Sequence, residues 1–72
     1  MKELTETEKR VVVCLAQTGA TNAEIGKMLH MAPSTAKNHL RTAMLKLDQS
    51  TRTGVAILAW KKGWVPWTDG RS

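Results

Sequence analysis

With 72 residues, 42% of them hydrophobic, the chain has room for one small domain with a thin core, and its single cysteine, Cys14, excludes an internal disulfide. No apolar run is long enough to span a bilayer and the N-terminal MKELTETEKR lacks the apolar stretch of a secretory signal, so a cytoplasmic protein without membrane partners is expected. The net charge of +5 is unevenly spread: residues 1–24 sum to −1 and residues 27–62 to +6, which suits a polyanion partner for the second half and, on charge alone, equally a solvated basic face with no partner.

In chain order, Thr5 and Glu8 have the spacing of a capping box, in which each side chain bonds the other's backbone N–H. Val11, Val12, Leu15 and Cys14 then form an apolar stripe, and Gly19 suits a left-handed helix end, so a first helix is expected from Glu6 to Thr18 with a scaffolding role. Cys14, between Val13 and Leu15, reads as a small core residue in a reducing compartment rather than a reactive thiol.

Thr21-Asn22-Ala23-Glu24 repeats the box and opens a second helix, Asn22 to Leu29, with Ile25, Leu29 and Met28 facing inward. Gly26 inside this helix costs about 1 kcal/mol relative to alanine unless close packing requires it, and it reads as a helix crossing point. Free amides and a hydroxyl at a helix N-terminus suit a phosphate, so Thr21 and Asn22 are candidates for contact with a nucleic-acid backbone.

His30-Met31-Ala32 forms a turn, and Pro33 fits the first position of a helix because its missing N–H would be unpaired there. Ala32 is a poor cap; Ser34 either caps in its place or keeps its hydroxyl free for a phosphate. From Pro33 to Leu47, a period of 3.6 places Ala36, Leu40, Ala43, Met44 and Leu47 on one face and Ser34, Lys37, Asn38 and Arg41 on another. Two helices joined by a tight turn, the second displaying lysine, asparagine and arginine, is the layout of a DNA-reading helix-turn-helix.

Residues 48–52 lack apolar periodicity and read as a loop, after which Thr53 caps a fourth helix, Gly54 to Lys62, ended by Gly63. Val55 to Trp60 is an unbroken apolar run of which a surface helix hides about half. The remainder, from among Ile57, Leu58 and Trp60, calls for a cover, and a second copy of the chain is the simplest. Trp64 and Trp67 are expected to fold back over the core, with a partner-binding hook as the alternative, and residues 66–72 to form a partly disordered tail.

Catalytic constellations are missing. Ser34 and His39 lie more than a helical turn apart and do not meet with Asp48, and His30, His39 and Cys14 lack metal-ligand spacing. No glycine-rich phosphate loop occurs, so a non-enzyme without metal, cofactor or small-molecule ligand is expected.

The sequence resembles the LuxR-type helix-turn-helix family, the group of GerE, FixJ and the NarL effector domain. The resemblance runs from Leu4 to Val65 and is carried by Leu4-Thr5 with Glu8, Ala16-Gln17, Gly19, Thr21-Asn22, Glu24-Ile25, Leu29, Ser34 to Leu40, Lys46-Leu47 and Arg52-Thr53, in order and without gaps. It implies an all-α, four-helix domain over residues 1–65: a winged-helix-like three-helix core plus a fourth helix for dimerisation. By the same resemblance, Lys37, Asn38 and Arg41 face base edges and phosphates. Thr21, Ser34, Thr35, His39 and Lys46 make mostly backbone contacts. Dimerisation is assigned to Val55, Ile57, Leu58, Lys61 and Trp64. Ala32, Met28, Arg10 and Gly54 depart from the family pattern, and without an upstream regulatory domain in the sequence the expectation is a stand-alone GerE-like or phage-encoded regulator on the bacterial nucleoid. The function expected is sequence-specific binding of double-stranded DNA as a homodimer to regulate transcription. The alternative is an interaction module that docks on RNA polymerase or on another LuxR-type regulator.

Overall fold

A computed structural model describes residues 3–65, which form four α-helices and, among these residues, no strand: α1 (Glu6–Thr18), α2 (Asn22–Leu29), α3 (Pro33–Lys46) and α4 (Arg52–Lys61). The expected all-α domain is therefore the one observed. Both capping boxes form: the Glu8 N–H donates to Thr5 Oγ1 at 3.1 Å while the Thr5 N–H donates to Glu8 Oε1 at 2.9 Å, and Thr21 and Glu24 repeat the pair at 3.2 and 2.9 Å. Gly19 ends α1 with φ of 66°.

The core is assembled around α1, which packs against each of the other helices, while α2 and α3 form the tight pair and α4 closes against α1. Ile25, Val11, Val12 and Val55 are fully buried, each worth about 1.5–3 kcal/mol relative to exposure. Cys14 is buried among them. Val65 is buried, and Trp64 packs partly on the core with the Lys9 and Lys62 ammonium groups 5.1 and 5.7 Å from its ring centre. Trp67 and the 66–72 tail fall outside the described residues.

Several details differ from the sequence expectation. Helix α4 begins two residues earlier, because Thr51 rather than Thr53 is the cap: its Oγ1 accepts from the Gly54 N–H at 2.9 Å. Ala32 occupies the N-cap position of α3 without a side-chain bond, so Ser34 lies inside the helix with its side chain exposed and does not cap. Met28 is 47% exposed rather than inward, since Ile25 and Gly26 take the buried face of the short α2. Gly26 does mark a close approach, but to the chain's own turn: a Cβ there would lie 2.5 Å from the Met31 carbonyl oxygen. No helix among the described residues is long and apolar enough to cross a membrane.

Candidate nucleic-acid interface

Helix α3 is anchored from behind by Ala36, Leu40 and Ala43, all buried, and by the half-buried Met44 and Leu47. Its opposite face carries Ser34, Lys37, Asn38 and Arg41, all exposed, and the strip continues through Leu45, which is 73% exposed. The ion pairs among the described residues are Arg10 with Glu6 and Lys46 with Glu8, so neither Lys37 nor Arg41 has a counter-ion among those residues. Flanking the strip is a trough of about 370 Å³ whose rim includes Lys37, Arg41 and Arg52 and whose floor is Leu40 and Met44. Uncommitted cations beside hydrogen-bonding side chains, on a helix held rigidly by its apolar face, form a surface able to meet phosphate oxygens and base edges together.

The turn before α3 fixes its entry. His30 adopts φ of 60° and caps α2, the Met31 N–H donates to the Gly26 carbonyl at 2.8 Å, and Pro33 starts the next helix at once. The chain thus reverses over three residues with its backbone seated on the bare Cα of Gly26.

Four of the expected site residues are placed differently from the strip. Asn22 accepts from Arg52 Nη1 at 2.8 Å, while Arg52 Nη2 donates to the Ala20 carbonyl at 2.7 Å, so the guanidinium ties the start of α4 to the start of α2. The Thr21 hydroxyl oxygen accepts within its own cap. His39 is half-buried on the flank of α3. Lys46 turns inward, its Nζ 2.8 Å from Glu8 Oε1. Thr35 is exposed beside the strip.

Sequence reasoning missed the Arg52 clamp because residues 48–52 read as a loop; Thr51, a cap residue three before Gly54, was the available signal. It also left Leu45 off the strip, although Leu45 lies one turn beyond Arg41 on a period of 3.6. Among the residues assigned to dimerisation, Val55 is fully buried under α1 and has no surface to offer a partner. The apolar run of α4 put Val55 and Ile57 on equal terms, and the side that α1 covers separates them. Ile57 is 50% exposed, Lys61 is exposed, and Leu58 and Trp64 are half-buried. Trp60 is 44% exposed and donates from Nε1 to the Ala16 carbonyl at 3.3 Å.

The Glu8 carboxylate is almost fully buried and ties the end of α3 to the start of α1. The hydrogen bond from Lys46 and then that from the Thr5 N–H hold its pKa below the ordinary value of 4.5, against the opposing effect of burial. Because the folded pKa is lowered, the stabilisation is complete above pH 4.5 and is lost as pH falls through the folded value beneath it. Glu8→Gln is expected to cost about 2 kcal/mol at neutral pH and to flatten the acid limb of stability, read by urea unfolding at pH 7 and pH 3. An unchanged acid limb in the variant would remove Glu8 from this role.

The sequence matches the family model described as GerE, bacterial regulatory proteins, luxR family, over residues 2–59. It is 40% identical over 58 residues to the transcriptional regulatory protein LiaR of Bacillus subtilis (strain 168), covering 81% of this chain and 27% of that protein. It is 33% identical over 54 residues to the transcriptional regulatory protein DegU of Brevibacillus brevis, covering 75% of this chain and 23% of that protein. The chain thus spans about a quarter of the length of these relatives.

Proposed function

Because the chain belongs to the luxR family of bacterial regulatory proteins, we propose that it binds double-stranded DNA sequence-specifically and regulates transcription, with α3 in the major groove and two copies joined through α4. The observation that carries this reading is the outward strip of Lys37, Asn38 and Arg41, none of them held by an ion pair within the described residues. Lysine and arginine recognise guanine O6 and N7, and asparagine recognises adenine N6 and N7, so the strip holds donors suited to both purines. The transcriptional regulators LiaR and DegU support the regulatory part of the proposal.

Pairing rests on a different face. Ile57 and Trp60 expose large apolar surface on α4, beside the exposed Lys61. A single module of this kind buries about 600–1,000 Å² of its own surface on DNA and binds weakly, so two copies on paired half-sites raise affinity to a useful level.

Selection from a random duplex library is the test. The expected product is one preferred motif occurring twice at fixed spacing, with an affinity that falls with salt by a log–log slope of about −0.9 per phosphate contacted. A motif recovered only singly would overturn the pairing. No enrichment by a chain that stays monomeric would overturn the DNA reading and favour docking on RNA polymerase or another regulator.

A further inference from the structure

The reading strip ends on a side chain that its basic and amide neighbours do not explain. Leu45 lies four residues past Arg41 on the same exposed face of α3 and is 73% exposed, the most exposed large hydrophobic residue among those described. It shares the wall of one trough with Lys37 and Arg41, above Leu40 and Met44. An apolar group bordered by uncommitted cations suits a polyanion that also displays apolar surface, whereas a purely apolar protein partner would leave those cations desolvated and unpaired. In the DNA major groove such apolar surface is the thymine C5-methyl, the feature that distinguishes thymine from the other bases to a side chain without hydrogen-bonding groups.

We infer that Leu45 is a specificity-determining residue that packs against a thymine methyl; the inference rests on the DNA-binding function proposed above. Its register follows from geometry. A reading helix follows the inclined major groove rather than the DNA axis, and residues three to four apart on it, about 4.5–6 Å, address successive bases. The thymine therefore lies about one base pair beyond the base read by Arg41, towards the end of α3 marked by Lys46.

The test changes the DNA and leaves the protein intact. In the duplex selected by the wild-type chain, each thymine is replaced in turn by uracil, which removes the methyl group and keeps the Watson–Crick pairing. At one thymine per half-site the substitution is expected to weaken wild-type binding about fourfold, the value of one buried methyl group. Leu45→Ala should bind the thymine and uracil duplexes equally, and its melting temperature should match the wild type because the side chain is mostly in solvent. If wild type selects a sequence but uracil is tolerated at every position, or if Leu45→Ala keeps the discrimination, the inference is wrong while the DNA reading stands. If wild type selects no sequence, both fall together.

Discussion

Alanine in place of Arg41 is expected to lower affinity for the preferred duplex by about 1–3 kcal/mol, between fivefold and a hundredfold or so, and to relax base preference at one position. Lys37→Ala should act similarly at a neighbouring position. The reason is geometric: both side chains leave α3 on its solvent face, neither is drawn into an ion pair within the described residues, and the helix cannot roll because Ala36, Leu40 and Ala43 are locked beneath it. Affinity alone does not separate base reading from phosphate contact, so the measurement is a pair of salt titrations on preferred and scrambled duplexes. Loss of a base contact shrinks the ratio between them and leaves the salt slope nearly unchanged. Loss of a phosphate contact weakens both equally and reduces the slope by about 0.9. Equal weakening of both duplexes by Arg41→Ala would remove it from base reading.

The second large effect is expected far from the strip. Gly26→Ala should destabilise the domain by about 2–3 kcal/mol, although alanine gains about 1 kcal/mol in helix propensity. The new Cβ meets the Met31 carbonyl oxygen at 2.5 Å and the backbone of Ala32 and Pro33 at 3.3 Å, and none of these atoms can rotate aside as a side chain would. A domain of this size has on the order of 4–11 kcal/mol in total, so the loss is a large fraction of it. Thermal unfolding should shift downward by about 10–20 °C. Any fraction that stays folded must open the α2–α3 turn, re-aiming α3 and weakening duplex binding by more than the unfolded fraction explains. A melting temperature within two degrees or so of wild type would show that the turn yields freely and does not set the helix angle.

These two substitutions bracket what was legible in the chain. Lys37, Asn38 and Arg41 could be placed side by side from spacing, because a helix of known period with an apolar stripe has one way to lie on a core. Both capping boxes were equally readable, since Thr5 with Glu8 and Thr21 with Glu24 are contacts between residues three apart. Gly26 could be recognised as costly in a helix, but its reason lies in the path of residues 31–33, which sequence spacing does not describe.

Contacts between distant residues account for the rest. Lys46 has a basic side chain at the end of a basic helix, and its placement against Glu8, 38 residues away, follows from how α3 crosses α1. Arg52 belongs to α4 and clamps Asn22 and Ala20 because the starts of α2 and α4 meet. Val55 and Ile57 look alike in an unbroken apolar run, and the side of α4 that α1 covers sends one inside and leaves the other in solvent. Helix ends, apolar stripes and the outward strip arise from interactions within about one turn of helix, so the order of residues specifies them. Which charges are neutralised and which apolar groups stay uncovered depends on helix crossings, where partners come together from opposite ends of the chain.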